Sequence, residues 1–184
     1  LGETRFRVSA QSFFQTNTRA AKVLYDEIAG MLDLDGQTVA IDAYCGTGSI
    51  GIYCAQRAKE IWGLELVREA VWDGRLNASL NGLDNCRFMA GDIRRTLPLA
   101  LESIRGRPGA VIVDPPRGGM HKKALGGLLD IGAGVFIYVS CNPATLARDL
   151  QHLCGEGAYQ LRRVQPADFF PQTPHVECVA FLVA

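Results

Sequence analysis

A chain of 184 residues, of which 48% are hydrophobic, is the size of one domain and can bury a core, so residues 1–184 are interpreted as one domain. The formal net charge is zero, which excludes the strong positive field of a protein that binds nucleic acid through charge alone. The six cysteines include no C-x-x-C pair, so we expect reduced thiols in the cytoplasm and no metal site. No apolar run approaches a membrane span and no signal-peptide pattern is present, while the start at Leu1 predicts a fragment or processed chain.

The first part of the chain predicts a helix that an aromatic pair precedes. Thr18 is the expected N-cap, because apolar residues recur at helical spacing from Ala21 onward. We expect Phe13 and Phe14 to pack in the core, with the wall of a binding site as the alternative. Gln15, which follows this pair, is harder to explain as a core residue.

A strand and a glycine-rich turn come next. Residues 39–42 are an apolar run that ends in Asp42, and the pattern Gly46-x-Gly48-x-x-Gly51 follows. Glycines at this spacing formally match the loop with which dinucleotide-binding folds approach a ligand, and a helix to about residue 58 should follow. The match alone is weak evidence for any one ligand.

Two acids beside this loop favour a cationic ligand over a dinucleotide. Asp42 ends the first strand, where a carboxylate would repel a pyrophosphate and attract positive charge. Glu65 ends the next apolar stretch at about the spacing where an acid binds ribose hydroxyls, a solvated loop charge being the alternative. S-adenosylmethionine carries a sulfonium, an amine and a ribose. We therefore predict S-adenosylmethionine as the cofactor.

Two further strands bring carboxylates to the same edge of the predicted sheet. A short strand at residues 86–90 precedes Asp92, which we expect either to accept a hydrogen bond from an adenine amino group or to cap a helix. A buried strand at residues 110–113 precedes Asp114, whose loop contains two prolines. Such a rigid acidic loop often serves a ligand, although two prolines also simply end a strand.

Cys141 lies between a buried strand and the start of a helix. Residues 134–139 form a short apolar run, which predicts a strand of a parallel sheet. Asn142 is a favoured N-cap and Pro143 a favoured first helical residue, so a helix should run toward Cys154. The positive end of that helix should lower the pKa of Cys141 and produce a nucleophilic thiolate. The alternative is a small buried hydrophobic residue, but open α/β sheets bind ligands at this end of a strand.

The C-terminal region predicts two strands, at residues 159–164 and 176–183, that pair antiparallel at one edge of the sheet. Glu177 shares a face with Val179 on an otherwise apolar strand. If Glu177 faces the crevice, burial would raise its pKa and suit it to proton transfer; an exposed edge charge is the alternative. Alternating strands and helices throughout predict a doubly wound α/β fold.

The motifs together resemble a known family. They are Phe14-Gln15-x-Asn17, Asp42-x-Tyr44-Cys45-Gly46-x-Gly48, Asp114-Pro115-Pro116-Arg117, Ser140-Cys141-Asn142-Pro143-x-Thr145-x-x-Arg148-Asp149 and His175-Val176-Glu177. In this order they resemble the RNA uracil-5-methyltransferases, which act on uridine in ribosomal or transfer RNA. The resemblance implies a class I S-adenosylmethionine-dependent methyltransferase fold, which is Rossmann-like and doubly wound, with about seven mostly parallel strands. It further implies that Cys141 is the nucleophile and Glu177 the proton acceptor.

The resemblance also implies cofactor contacts. The matching positions are Gln15, Tyr44, Ser49, Glu65, Asp92 and Asp114, with Cys45 and Gly46 in the same loop and Asp42 added for its charge. Ser49 stands where the family commonly has Asn. Family members usually carry an N-terminal RNA-binding domain, and some an iron–sulfur module, and neither is in this chain. We expect RNA as the partner, and the ending from Phe170 to Glu177 favours ribosomal over transfer RNA.

The implied reaction must make C5 of uracil electron-rich. Addition of Cys141 to C6 does so; C5 then takes the methyl group, Glu177 removes the C5 proton and Cys141 is expelled. The base is expected to turn out of its stack to reach the pocket. One alternative is an amino-group methyltransferase, although Arg117 stands where such enzymes usually have an aromatic residue. Another is a catalytically silent RNA-binding or cofactor-sensing module, which the presence of both Cys141 and Glu177 disfavours.

Overall fold

The computed structural model describes residues 1–9, 15, 17–155 and 157–184. In these residues the strands form one seven-stranded sheet, against which the helices pack. The strands are β1 (Val39–Ala43), β2 (Glu60–Glu65), β3 (Cys86–Ala90), β4 (Ala110–Val113), β5 (Val135–Ser140), β6 (Gln160–Ala167) and β7 (Glu177–Val183). The helices are α1 (Thr18–Leu32), α2 (Ser49–Cys54), α3 (Arg68–Leu80), α4 (Ile93–Ser103), α5 (Lys122–Leu129) and α6 (Pro143–Gly155), with a 3₁₀ turn at Ala55–Arg57. Within the described part of the chain, no helix is long and apolar enough to cross a bilayer.

The strand order creates a ligand-binding edge. In the described residues the order is β3-β2-β1-β4-β5-β7-β6. The first five strands run parallel, whereas β7 runs antiparallel to both β5 and β6. The predictions of a mostly parallel sheet of about seven strands and of an antiparallel C-terminal pair are confirmed. From β1 the chain first adds strands on one side, β2 and β3, and then adds β4 and β5 on the other side. Open α/β sheets bind ligands beyond the carboxyl ends of the strands at such a switch point.

Side chains alternate across the sheet and so divide the core into two layers. Ile41 and Val111 pack with residues of α4, α5 and α6, while Ala40 and Ile112 pack with residues of α1 and α2. Ile112 is fully buried, so truncating it to Ala would cost about 2–5 kcal/mol. The same alternation places Asp42 on the face that α1 and α2 cover.

Element boundaries differ from the predictions for local reasons. Asn17 rather than Thr18 caps α1, because the Asn17 side chain accepts a hydrogen bond from the Ala20 N–H at 3.1 Å. The β6 strand extends to Ala167 because it pairs with β7 as far as Glu177. The predicted helix to about residue 58 ends earlier and gives way to the 3₁₀ turn. Phe13 and Phe14 lie outside the described residues.

Side chains of α3 and of its C-cap residue hold the N-terminal segment against the body of the fold. The Arg5 N–H donates to Asn81 Oδ1 at 2.8 Å, and Asn81 Nδ2 donates back to the Arg5 carbonyl at 2.7 Å. Asn77 makes the same pair of bonds with the backbone of Arg7, at 2.7 and 3.1 Å. Because Asn77 and Asn81 lie one helical turn apart, they bind alternate residues of an extended segment.

Candidate active site

A cavity of about 710 Å³ opens at the carboxyl ends of β1, β2, β4 and β5. Parallel strands end at one edge of a sheet, so the residues that follow them meet there. All the predicted site residues except Asp42 and Asp92 line this cavity: Gln15, Tyr44, Cys45, Gly46, Ser49, Glu65, Asp114, Cys141 and Glu177. The structure therefore brings together most of the residues that the sequence singled out.

The antiparallel pairing of β5 and β7 brings Cys141 and Glu177 to the same end of the two strands. The last pair in the register is Ser140 with Cys178; Cys141 and Glu177 are the residues next to this pair, and both line the cavity. Glu177 is only 6% exposed, and β6 lies outside β7 in the sheet. Glu177 is thus not an exposed edge charge.

The electrostatic surroundings of Cys141 differ from the prediction. The pKa of the Cys141 thiol is raised, first by burial and then by the negative charges of Glu177 and Asp114, while Arg117 acts in the opposite direction. The predicted lowering by the start of α6 is therefore wrong in direction. A local pattern reveals the helix start, but it does not show that two carboxyl groups converge on the thiol.

The two carboxyl groups beside Cys141 both have raised pKa values. Burial raises the pKa of Glu177. The pKa of Asp114 rises to about 8 through burial and through the charges of Glu177 and Asp42. Both shifts favour the protonated forms of these groups, and the Glu177 carboxylate is more basic than an exposed one. Such shifts suit groups that move protons.

The glycine-rich loop after β1 forms part of the wall of the cavity. Tyr44 has a φ of 61°, a left-handed conformation that is uncommon for residues other than glycine. The Gly46 N–H donates to Glu65 Oε2 at 3.0 Å, which ties the loop to the end of β2. Gly48 has a φ of 75°, and a Cβ added there would lie 2.6 Å from the Phe88 ring. A side chain at position 48 would therefore displace this wall.

Asp42 lies behind the glycine-rich loop and not in the cavity wall. Its side chain is almost fully buried, and its Oδ2 accepts a hydrogen bond from the Gly51 N–H at 2.9 Å. Its Oδ1 has no hydrogen-bond partner among the residues described. Burial raises the pKa of Asp42 to about 7, opposed by the Gly51 N–H. The predicted direct contact with a cationic ligand does not match this placement, because the strand directs the carboxyl group toward α2.

A smaller pocket of about 170 Å³ adjoins the cavity, and Tyr44 and Leu66 line both. Asp92 lines this smaller pocket and also caps α4, since its Oδ1 accepts a hydrogen bond from the Arg94 N–H at 2.9 Å. The alternative of a helix cap is thus confirmed for Asp92. Its contact with an adenine amino group stays a prediction, which its place in this pocket allows.

Thr47 is a cavity residue that the sequence did not single out. It is almost fully buried, and its Oγ1 has no hydrogen-bond partner in the part of the chain that the structure describes. Thr47 nevertheless lines the cavity. Buried hydroxyl groups are normally hydrogen-bonded, so this oxygen is an exception among the described residues. The only sequence signal was its place between Gly46 and Gly48.

A model of the tRNA (uracil-5-)-methyltransferase family matches residues 2–184. The chain belongs to this family. The resemblance inferred from the motifs is therefore confirmed, and the match covers every predicted site residue. The site described above is thus that of a member of the tRNA (uracil-5-)-methyltransferase family.

Relatives of this family member are considerably longer than the chain. A Bacillus cereus protein named as an uncharacterized RNA methyltransferase is 45% identical over 183 residues, which are 99% of this chain and 39% of that protein. A Chlorobaculum tepidum protein of the same description is 45% identical over 182 residues, covering 98% of this chain and 37% of that protein. The chain therefore spans less than half the length of these relatives.

The fold is shared with a solved methyltransferase structure. The crystal structure of the Pyrococcus abyssi tRNA (uracil-54, C5)-methyltransferase, in complex with S-adenosyl-L-homocysteine, superposes with a TM-score of 0.81 and 35% identity. The similarity covers 97% of this chain and 42% of the Pyrococcus chain. The predicted class I methyltransferase fold is confirmed.

Proposed function

We propose that this chain is the catalytic part of an S-adenosylmethionine-dependent RNA methyltransferase that methylates C5 of a uridine through a covalent Cys141–C6 adduct. The observation that carries the proposal is that Cys141 and Glu177, at the same end of the β5–β7 pair, line one cavity together with residues of the glycine-rich loop. Addition at C6 and proton removal at C5 need a nucleophile and a base close together. Membership of the uracil-5-methyltransferase family supports the same chemistry.

The two residues have distinct tasks in this reaction. The Cys141 thiolate forms a bond to C6, and the C5–C6 π electrons move into an enolate. C5 then takes a methyl group from the donor, whose sulfur–methyl bond breaks. Glu177 removes the hydrogen still on C5, and those electrons restore the C5–C6 double bond as the Cys141 thiolate leaves. Burial raises the pKa of Glu177, so its carboxylate is well suited to accept that proton.

The walls of the cavity fit the cofactor, which supplies an electrophilic methyl group when bound. Glu65 accepts hydrogen bonds from Gly46 and Val67 through its two oxygens and still lines the cavity, where it can accept ribose hydroxyls. Asp92 lines the adjoining pocket, which supports its predicted contact with adenine. S-adenosyl-L-homocysteine in the similar Pyrococcus structure supports this choice of cofactor.

Exposed basic side chains at the mouth of the site support RNA as the partner, although the net charge of the chain is zero. Arg117 lines the cavity, and Arg94 and His121 line the adjoining pocket. Lys122 and Lys123 begin α5 beside them, and both are exposed. We name these five residues the basic rim. Phosphates of an RNA strand entering the cavity would be attracted to it.

The type of RNA stays a prediction. The sequence favoured ribosomal over transfer RNA, but the relatives give that preference no support, because the similar Pyrococcus enzyme is named for tRNA. An assay therefore has to offer both. Uridine C5 is the common acceptor in either case, so the roles of Cys141 and Glu177 do not depend on which RNA is used.

The test is product analysis with the full-length protein, labelled S-adenosylmethionine, and ribosomal and transfer RNA in separate reactions. Nucleoside digestion should release label as 5-methyluridine. Cys141→Ala should abolish the product without weakening cofactor binding. Cys154→Ala is a matched control, because Cys154 is also partly buried but lies away from the cavity, and it should retain activity.

Other products would contradict the proposal in recognisable ways. Label on an exocyclic nitrogen would favour the amino-group methyltransferase. Binding of RNA and cofactor without any product would favour the silent module. Normal activity of Cys141→Ala would exclude the covalent adduct.

A further inference from the structure

The loop of residues 117–120, which follows Asp114, is hydrogen-bonded to α6. Side chains of α6 and its preceding residue contact its backbone as follows: Asn142 Nδ2 to the Arg117 carbonyl at 3.2 Å, Thr145 Oγ1 to the same carbonyl at 3.3 Å, and Arg148 to the Gly118 carbonyl at 3.1 Å. The loop thus has little freedom to move relative to the helix that follows Cys141.

Asp149 joins this loop to the sheet as well as to α6. It is 1% exposed, and its Oδ2 accepts hydrogen bonds from the Met120 N–H at 2.9 Å and the Tyr138 hydroxyl at 2.7 Å. Its Oδ1 accepts a bond from Arg148 Nε at 2.8 Å. A buried carboxylate is stable only when it has such partners, so removing its charge should loosen all three attachments.

Gly119 shows how closely the loop approaches α6. Its φ is 75°, and its N–H donates to the Pro116 carbonyl at 2.8 Å, which makes a tight turn. A Cβ at this position would overlap the Arg148 guanidinium and lie 2.7 Å from Asp149 Oδ2. The turn and the two charged residues therefore form one packed unit.

We propose that Asp149 is a positioning residue for methyl transfer, because it holds the loop that carries Arg117 against the helix that begins next to Cys141. Arg117 and Cys141 both line the cavity, so the distance between their side chains depends on the bonds that Asp149 makes to the loop. Three charged or titratable groups influence the thiol: Glu177, Asp114 and Arg117, of which only Arg117 favours the thiolate. The inference rests on the proposed function, since it assigns Asp149 a part in the reaction of Cys141.

The experiment compares Asp149→Asn with the wild-type full-length protein. The variant keeps the size of the side chain but loses its charge. We expect kcat to fall by up to about 100-fold, as small misplacements of reacting groups can cause, while the affinity for S-adenosylhomocysteine changes less than about twofold. The pH midpoint for iodoacetamide alkylation of Cys141 should move upward, because Arg117 would no longer be held beside the thiol.

Tyr138→Phe is the matched control. It removes one hydrogen bond to the same Asp149 oxygen but leaves the bonds to the loop in place. Its melting temperature should fall, whereas its kcat and its alkylation midpoint should stay close to the wild-type values. Arg148→Met, at an exposed position, provides a second variant if Asp149→Asn does not fold, and its kcat and midpoint should shift in the same directions.

The outcomes distinguish a positioning role of Asp149 from a purely structural one. If Asp149→Asn lowers only the melting temperature, with kcat and the alkylation midpoint unchanged, Asp149 is structural and the inference is wrong. The same holds for Arg148→Met if it is the variant that folds. Absence of methylation by the wild-type protein would instead contradict the proposed function itself.

Discussion

Replacement of Glu65 tests the cofactor assignment. Glu65 is the last residue of β2, and its two oxygens accept hydrogen bonds from the Gly46 N–H at 3.0 Å and the Val67 N–H at 2.8 Å. Both bonds lie at the edge of the cavity, so the carboxylate is held where ribose hydroxyls would meet it. Glu65→Ala removes the carboxylate that would accept hydrogen bonds from the ligand. It also leaves the Gly46 and Val67 N–H groups without this acceptor.

The magnitude follows from the type of bond that is lost. A hydrogen bond to a charged group typically contributes about 1.5–3 kcal/mol. At about 1.4 kcal/mol for each factor of ten, the affinity for S-adenosylhomocysteine should fall about 10- to 150-fold. Glu65→Gln loses the charge and one of the two acceptor oxygens but keeps a carbonyl acceptor, so it should lose less affinity than Glu65→Ala.

Isothermal titration calorimetry with S-adenosylhomocysteine measures this change. Glu69→Ala is the matched control, since Glu69 is an exposed acid in the first turn of α3 and does not line the cavity. It should bind like the wild type, and NAD should bind to none of the proteins. Equal affinities for Glu65→Ala and Glu69→Ala would refute the assignment of Glu65 to the ribose.

Three further predictions follow from the electrostatics. Iodoacetamide should modify Cys141 faster than Cys54, because Cys54 is buried and burial raises its pKa to about 12, whereas Cys141 lines the cavity; equal rates by mass spectrometry would indicate a structural cysteine. The folded pKa of Asp114, about 8, exceeds the unfolded value of about 4, so its contribution to stability is lost as pH rises from about 4 to about 8. The melting temperature of Asp114→Asn should therefore fall less than that of the wild type between pH 5 and pH 8, and parallel profiles would contradict the raised pKa. Joint replacement of Lys122 and Lys123 by Glu should weaken RNA binding and make it less dependent on salt, while the cofactor affinity stays unchanged. An unaltered salt dependence would show that these two residues do not contact RNA phosphates.

The strands were predictable because each is a short apolar run bounded by turn residues. The β3 and β4 strands have the predicted bounds, although β4 is buried throughout whereas only Phe88 is buried in β3. No bounds followed from the sequence for α4 and α5, however. Pro98 lies inside α4, and a pair of adjacent glycines lies inside α5, so neither segment has the composition of a helix on its own. Packing against the sheet stabilises both.

The site residues that follow directly from the ends of predicted strands could be identified from the sequence. Cys141 and Glu177 follow from strand ends and alternation, and the register then brings them together. The direction of the Cys141 pKa was not predictable, because it depends on distant carboxyl groups. Nor was the placement of Asp42, whose carboxyl group bonds to α2 and so lies outside the cavity wall. The bonds of Asp149 to a loop nearly thirty residues away likewise require the tertiary structure.

The most direct test of the covalent mechanism is to trap the intermediate with Glu177→Gln in the full-length protein. Glu177 acts only after the methyl group has moved, so this variant should still add Cys141 to C6 and methylate C5, but should release Cys141 slowly. We predict a protein–RNA adduct that survives denaturing electrophoresis, carries the methyl label and disappears in the double variant with Cys141→Ala. Normal turnover by Glu177→Gln, or an adduct that persists without Cys141, would contradict the account.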